Sequence, residues 1–425
     1  MMKRYDSYKD SGVEWVGEIP ISWDVTRVKK HFNERKEKVN DIDFPPLSVT
    51  KNGIFPQLDN VSKSDNHNDR KRVCKNDFVI NSRSDRKGSS GLSQLDGSVS
   101  LINIVLEPKS INPSYSEFLF KSKDFIEEFF RNGKGIHWDL WSTRYSELQN
   151  IKIPSPPLPE QQQIVSFLDT KTSLIDSLIE KTQRKIELLK EKRTSLINEV
   201  VTKGLNPNVE MKDSGVEWIG EIPNHWEKSC VRYVTQEHRQ GYYSSDSYTE
   251  EGLRVVRITD LNDDRTISIE NSPFYQLSDL EEERFILKSG DFLFPRTGGV
   301  GRFGIFNDTI PSIYGSFLIR FRFSEEVVNQ FMRYYFDSGV YLNQILSEIH
   351  GGVNQNVHVE NIKDCKIFYP KKLEQQQIVE YLDEQTQKID KTISIEEKRI
   401  KLLKEYRQSL ISEVVTGKLK VTSDE

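Results

Sequence analysis

The sequence predicts an α+β chain in which two α/β domains are separated by two long helices. The helices form an antiparallel coiled coil, and the whole is a pseudo-two-fold tandem repeat. Three observations carry this reading. Glu160–Thr202 recurs as Glu374–Thr416 at an offset of 214, with 25 of 43 positions identical. Lys9–Trp23 (KDSGVEWVGEIPISW) recurs as Lys212–Trp226 (KDSGVEWIGEIPNHW) at an offset of 203, with 12 of 15 identical. Between these repeats, two dissimilar stretches follow one order of strand-like and helix-like runs. A chain of 425 residues is long enough for two to three cores, and duplication assigns them to tandem units. The expected division is 1–156 (lead-in and first variable domain), 157–205 (first conserved helix), 206–369 (second lead-in and variable domain) and 370–425 (second helix and tail).

The first variable domain, about Asp24 to Pro154, alternates β-type runs at Pro46–Thr50, Phe78–Asn81 and Ser98–Leu106 with a helical stretch at Tyr115–Arg131. Turn-rich joints such as Lys51-Asn52-Gly53 separate them. The second, about Glu227 to Tyr369, repeats the order: Leu253–Thr259, Asp291–Pro295 and Ser316–Phe323 as strands, then a helix at Val327–Ile349. Asn76-Asp77-Phe78 answers Gly290-Asp291-Phe292, and Lys152-Ile153 answers Lys366-Ile367, both at the offset of 214. A shared scaffold with divergent loops accounts for this, and loops are where recognition usually sits.

The repeated helix has a heptad seam. Its apolar members are Val165, Leu168, Ile175, Ile179, Ile186, Leu189, Leu196 and Val200 in the first copy. In the second they are Val379, Leu382, Ile389, Ile393, Ile400, Leu403, Leu410 and Val414. Thr172 and Arg193 interrupt the seam at the same places as Thr386 and Arg407, where polar residues can fix register. A stripe running roughly 65 Å has to be buried, and the other copy is its nearest match. Each variable domain enters its own helix through a proline joint, Pro154–Pro159 or Pro370. Only about twenty residues connect the end of the first helix, near Leu205, to the second domain. If those residues stay near the helix end, the second helix runs back, with a domain at each end of the pair. Fully extended they could reach roughly 66 Å, so a parallel pair is disfavoured and stands as the alternative.

Composition narrows the function. A net charge of −5 argues against a protein that coats nucleic acid over its whole surface, but leaves room for local basic faces. No run of about 18 apolar residues predicts a membrane span, and the opening MMKRYDSYKDSG lacks the apolar segment of a secretory leader. Cys74, Cys230 and Cys365 are scattered and odd in number, as expected of reduced thiols rather than disulfides or a metal site.

No catalytic centre and no metal site are evident. Gly299–Gly304 matches GxGxxG, but Ile305–Pro311 shows no helical period to receive a phosphate, so a glycine-rich hairpin is expected. Walker A, GxSxG and HExxH patterns are absent from the sequence. Asp263-Asp264 and Glu281–Glu283 are expected to be solvated loop charge.

Two basic stretches stand out. Lys63–Lys87 holds eight Lys/Arg against four Asp, and Arg284–Arg322 holds six against two. Both surround the Asp-Phe landmark, which favours phosphate contact over ordinary surface charge. The candidate DNA-binding residues are Lys51, Asn52, Arg83, Arg86 and Lys87 in the first domain. In the second they are Arg257, Thr259, Arg296 and Arg302, with a loop of Arg239, Gln240, Tyr242 and Tyr243. Arg suits guanine edges and Asn or Gln suits adenine; for each single residue a structural or merely exposed role is the standing alternative.

With these motifs in order, the chain resembles the specificity (S) subunit of type I restriction–modification enzymes over essentially its whole length. The resemblance rests on SGVEWVGEIP (11–20) and SGVEWIGEIP (214–223), on the proline joint into EQQQIV (160–165 and 374–379), and on NEVVTKGL (198–205) matched by SEVVTGKL (412–419). The Asp-Phe strands and the Lys-Ile strands before each helix fit as well. Two departures are Asn76, where Gly is usual, and Pro-Lys-Lys-Leu at the second joint.

That resemblance implies two target recognition domains, each reading one half of a split double-stranded DNA site. It further implies that the helices act as spacer and dock two modification subunits. Those partners would use S-adenosylmethionine to methylate adenine N6 after base flipping. Two restriction subunits, ATP- and Mg-dependent translocases with nuclease activity, would complete a cytoplasmic bacterial or archaeal complex. The subunit itself would be non-catalytic, without cofactor or membrane contact. The family's base-contacting residues follow no fixed motif, so none transfers to a numbered position. Two other classes remain on the sequence alone: a stand-alone DNA methyltransferase or nuclease, and a coiled-coil protein scaffold.

Overall fold

The computed structural model describes residues 4–57, 69–135, 141–245, 247–297, 299–348 and 356–421. It forms two compact units, residues 1–183 with 397–425 (unit 1) and residues 184–396 (unit 2). Both divisions fall inside the long helices, Leu158–Lys203 and Lys372–Val415. Each unit therefore contains a lead-in, a variable domain, the opening part of one long helix and the closing part of the other.

The repeated lead-in is a β-hairpin. Tyr8–Asp10 pairs antiparallel with Glu18–Pro20 in unit 1, and Met211–Asp213 with Glu221–Pro223 in unit 2. Asp10 accepts the Gly12 amide at 2.9 Å, and Asp213 accepts that of Gly215 at 2.9 Å. The hairpin delivers a fully buried tryptophan to the closing end of a long helix. Trp23 meets Gly417 in unit 1, and Trp226 meets Gly204 in unit 2. Both glycines have positive φ, +75° and +71°, so each tryptophan packs on a left-handed turn at the end of a helix.

Unit 1 has a four-stranded sheet in the order Ser90–Leu92, Phe78–Asn81, Asn103–Pro108, Phe32–Glu34. Beside it is a three-stranded sheet of Gly97–Ser100, Arg70–Val73 and Lys38–Val39. Unit 2 repeats the first sheet with Thr235–Gln240, Leu318–Phe323, Asp291–Pro295 and Gly304–Phe306. Its three-stranded sheet is Phe274–Tyr275, Leu253–Val256 and Ser312–Tyr314. In each unit the Lys-Ile strand pairs with the strand after the lead-in: Lys152–Ser155 with Asp24–Arg27, and Lys366–Tyr369 with Glu227–Cys230.

Several expected elements divide. Ser98–Leu106 is two strands, because Gly97–Ser100 pairs with Arg70–Val73 whereas Asn103–Pro108 pairs with Phe78–Asn81 in the other sheet. The helix expected at Tyr115–Arg131 is Pro113–Phe120 followed by Lys123–Arg131. Ser122 starts the second by accepting the Phe125 amide and bonding the Leu119 carbonyl. The helix expected at Val327–Ile349 breaks at Ser338 into Asn329–Asp337 and Gly339–Glu348, and Ile349 lies outside the described residues. The strand from Leu253 ends at Val256, and Ile258–Asp260 is a short 3-10 turn. Gly304 opens the strand Gly304–Phe306, antiparallel to Asp291–Pro295, so the GxGxxG segment closes a hairpin.

The Asp-Phe landmark is a buried polar lock. Asp77 accepts the Cys74 amide at 2.8 Å and Arg35 Nε at 2.8 Å, and Asp291 accepts the Lys288 amide at 2.8 Å and both ends of Arg322 at 2.7 Å. The hydrogen bond to the buried carboxylate raises the pKa of each guanidinium. The arginine comes from just after the strand Phe32–Glu34 in unit 1 and from within the strand Leu318–Phe323 in unit 2, while the aspartate stays. The preceding residue has positive φ in both, +71° at Asn76 and +91° at Gly290. Asparagine tolerates that region, which explains the departure from glycine.

The long helices pack antiparallel within each unit. In unit 1, Ile164, Leu168 and Ile175 share a core with Leu410, Ile411, Val414 and Val415. In unit 2, Ile197, Val200 and Val201 share one with Ile378, Val379 and Leu382. Lys185 pairs with Glu396 and Arg193 with Asp390, at 2.5 and 3.0 Å, so one helix ascends as the other descends. Every seam residue expected from the heptads is buried or half-buried. Arg193 reaches Asp390 in unit 2 just as Arg407 Nη2 reaches Asp176 at 3.2 Å in unit 1. Donors and acceptors alike are 214 apart, so the seam arginines are pseudo-two-fold mates.

The EQQQ motif joins helix to domain. Gln161 is buried, accepts the Asn112 amide at 2.8 Å and donates to the Pro156 carbonyl at 2.8 Å. Gln375 is buried likewise, accepting the Val328 amide at 2.7 Å and donating to the Pro370 carbonyl at 2.9 Å. Asn112 and Val328 each stand at the N-terminus of a domain helix, so one glutamine fixes the angle between that helix and the long one.

Candidate nucleic-acid interface

Strand register gathers residues that are far apart in sequence. In unit 1 the strand Phe78–Asn81 leaves where Asn103–Pro108 begins, with Asn81 opposite Asn103. Gly97–Ser100 runs into that same point through the turn at Leu101-Ile102. Leu47–Thr50 lies parallel to it through the Pro46–Ser98 bridge. Lys51 and Asn52, on the hairpin turn after Thr50, thus share a strand end with Arg83, Arg86 and Lys87.

Unit 2 repeats the arrangement. Pro295 is opposite Leu318, Gln240 is opposite Ile319, and Val256 runs parallel beside Tyr314. Arg239, Gln240, Tyr242, Tyr243, Arg257, Thr259 and Arg296 all follow or close strands at this one end. Arg239 and Gln240 were expected in a loop. They are instead the last residues of Thr235–Gln240, held in the sheet by pairing with Leu318–Phe323.

The side chains differ in what they are free to do. Lys51 and Asn52 are exposed. They share an open groove of about 1330 Å³ in unit 1 with Lys87, and with Asp169, Lys404 and Arg407 of the long helices. Burial raises the pKa of Asp169. Arg83 and Arg86 share Asp85, at 3.0 and 3.8 Å, and both remain more than half exposed. Lys87 pairs with Glu127 at 2.6 Å and lies over the Phe130 ring at 4.4 Å. Tyr243 is 77% exposed. Gln240 donates to the Ser316 carbonyl at 3.2 Å. Arg239 lies 3.6 Å from Glu237 and over the Phe285 ring, which Tyr242 meets edge-on.

Three candidates have their polar groups engaged inside unit 2. Arg257 donates to Asp260 and to the Asn271 carbonyl, Thr259 donates to Asp260, and Arg302 donates to the Leu261 carbonyl at 2.7 Å. Burial pushes the Asp260 carboxyl up, but hydrogen bonds from Arg257 and Ser272 outweigh it and hold the group below the usual range. This turn orders the strand end before any ligand arrives.

The basic stretches are less available than their charge suggests. Arg70 is buried against Ser98, Lys71 donates to the Asn103 carbonyl, and Arg72 pairs with Glu37. Arg320 is buried and pairs with Glu237, while Arg322 serves Asp291. Part of the excess positive charge therefore serves partners within the fold, while Lys75, Arg284 and Lys288 are exposed along with Arg83 and Arg86 at the strand end. Lys63 lies outside the described residues.

Leu101, Ile102 and Phe317 also sit at these strand ends and are 40%, 45% and 63% exposed. Sequence reasoning placed all three inside strands. The signal that marks them is the change of partner sheet, which forces a turn there.

Comparison with known proteins agrees with this repeated architecture. The family model "Type I restriction modification DNA specificity domain" matches residues 24–188 and again 223–405. The Type I restriction enzyme MjaVIII specificity subunit of Methanocaldococcus jannaschii is 26% identical over 423 residues, covering 95% of this chain and 94% of that protein. The EcoKI specificity subunit of Escherichia coli K12 is 23% identical, with 86% of this chain and 81% of the relative covered. Among solved structures, a chain from work on assembly and conformational transition of the type I R-M system superposes with a TM-score of 0.75 at 17% identity, covering 94% of this chain and 99% of the other. The HsdS subunit from Thermoanaerobacter tengcongensis gives 0.58 at 17% identity, covering 94% and 98%. No helix among the described residues is long and apolar enough to cross a membrane. The chain belongs to the type I restriction modification DNA specificity family and carries the specificity domain twice.

Proposed function

We propose that this chain is the DNA sequence-specificity subunit of a type I restriction–modification complex. The observation that carries the proposal is that one family domain occurs twice. Each copy gathers arginine, amide and large apolar side chains at the same strand end, with different residues in the two. Two such edges read two different half-sites, so the target is bipartite and asymmetric. The long helices, which continue from one unit into the other, set the unread spacing and dock two modification subunits.

Recognition divides between phosphate and base contacts. Exposed Arg83, Arg86 and Lys51 supply phosphate contacts, while Asn52, Gln240, Tyr243 and Arg296 stand where base edges can be met. The chain itself performs no chemistry in this scheme. S-adenosylmethionine belongs to the modification subunits, which methylate adenine after flipping it. ATP and Mg belong to two restriction subunits, and the assembly works in the cytoplasm.

A genome-wide map of methylated adenines, with and without the gene for this chain, tests the reading. Loss of one bipartite motif is the expected result. An unchanged map, or methyl transfer by the purified chain alone, would overturn it.

A further inference from the structure

The turn that leads into the last strand of each main sheet exposes large apolar side chains. In unit 2 it is Gly315-Ser316-Phe317, and Phe317 is 63% exposed. In unit 1 it is Leu101-Ile102, 40% and 45% exposed. Turns normally carry polar or small residues, and nothing in the backbone of either turn requires an apolar one. The two turns occupy one topological position, between Gly97–Ser100 and Asn103–Pro108, and between Ser312–Tyr314 and Leu318–Phe323. Duplication has kept the apolar character at this place and changed the residue.

The surroundings say what such a side chain meets. The Arg296 amide donates to the Phe317 carbonyl at 2.9 Å, and Gln240 Nε2 donates to the Ser316 carbonyl at 3.2 Å. Phe317 is therefore flanked by a guanidinium-bearing and an amide-bearing residue on neighbouring strands. In unit 1, Asn103 pairs with Asn81, and Arg83 follows two residues on with its side chain 51% exposed. A partner suited to an apolar tip between Arg and Gln or Asn offers a hydrocarbon group beside hydrogen-bonding edges. The major-groove face of a thymine-containing base pair does so, with its 5-methyl next to acceptor and donor atoms.

On the reading of this chain as a DNA-specificity subunit, we propose that Phe317 is a specificity-determining residue that contacts the 5-methyl group of a thymine in the half-site read by unit 2. Leu101-Ile102 does the same for unit 1. The contact contributes discrimination at one base pair and little to phosphate affinity.

Replacing thymine by deoxyuridine removes only that methyl group. The assembled complex of this chain with its modification partners is titrated with duplexes carrying its methylated motif, with each thymine of the unit 2 half-site replaced in turn. At one position the wild-type complex is expected to bind about fourfold more weakly, the value for one buried methyl-sized group. Phe317→Ala is expected to bind both duplexes equally and to keep the unit 1 half-site unchanged. Because the side chain is exposed, truncation leaves the core intact, and unaltered discrimination at the other base pairs of the unit 2 half-site reports that unit 2 of the variant is folded.

Wild-type indifference to every such replacement, a half-site without thymine, or a Phe317→Ala complex as sensitive as wild type would each overturn the proposal. Salt-sensitive binding of the unmodified duplex would still uphold DNA recognition in those cases. Absence of that binding would overturn both.

Discussion

Replacing Gln161 by leucine separates a structural reading of the EQQQ motif from a surface one. Gln161 is buried and makes two hydrogen bonds of 2.8 Å, from the Asn112 amide and to the Pro156 carbonyl. Leucine keeps the volume and removes both. A buried donor or acceptor left without a partner costs about 1–3 kcal/mol, so Gln161→Leu should destabilise unit 1 by about 2–5 kcal/mol. Gln375→Leu should cost unit 2 at least as much, since Gln375 also donates to the Glu326 carbonyl at 3.0 Å. Gln162 and Gln376 are exposed neighbours on the same helices. Their leucine variants should stay within about 0.5 kcal/mol of wild type. Native-state hydrogen exchange is the appropriate assay, because two units need not unfold together. The Asn112 amide should lose protection in Gln161→Leu and the Val328 amide in Gln375→Leu. Equal behaviour of Gln161→Leu and Gln162→Leu would refute the argument that the motif locks helix to domain.

Three further outcomes follow from the packing. Gly417→Ala places a Cβ 2.5 Å from Pro20 Cδ at φ +75°, so urea unfolding of unit 1 should show a loss above about 1 kcal/mol. Gly12→Ala, at φ +63° with nothing within 4 Å, should cost less. Arg407→Asp should weaken unit 1 by under about 1 kcal/mol, because the Asp176 pair is partly exposed, and the charge-reversed double variant with Asp176→Arg should recover the loss. His31 is buried between Thr26 and Ser110, and burial, aided by Lys30 and Lys109, lowers its pKa from 6.5. Below pH 6.5 the unfolded chain binds the proton that the folded chain resists, so stability falls as pH falls until the folded pKa is passed. His31→Val, which copies the valine at the equivalent position 234, should flatten that slope.

The helices were the most legible part, because a seam of apolar residues with repeated Thr and Arg leaves one way to bury both stripes. Signals that depend on partners were harder. Ser98–Leu106 looks like one strand because Leu101 and Ile102 have strand character. Only the pairing of its halves with different sheets reveals the turn. Ser122 and Ser338 break helices that periodicity alone joins, although Ser122 is a capping residue visible in the sequence. The basic stretches misled in a different way. Charge can be counted from sequence, but that Arg70, Arg320 and Arg322 answer Ser98, Glu237 and Asp291 depends on strand register. The same register is what brings Lys51, Arg83 and Ile102 to one edge. Gln161 and Gln375 were noticed as repeats, and their function as amide acceptors needed the domain helices in place.

The most direct test of the central claim is an exchange of one variable segment. Residues 227–369 would be replaced by the corresponding segment of a relative, leaving both long helices intact, and the methylated adenines mapped in cells carrying the hybrid complex. The account predicts a new bipartite motif in which one half-site changes while the other half-site and the spacer length stay as they were. A motif altered in both halves, or altered in neither, would contradict it.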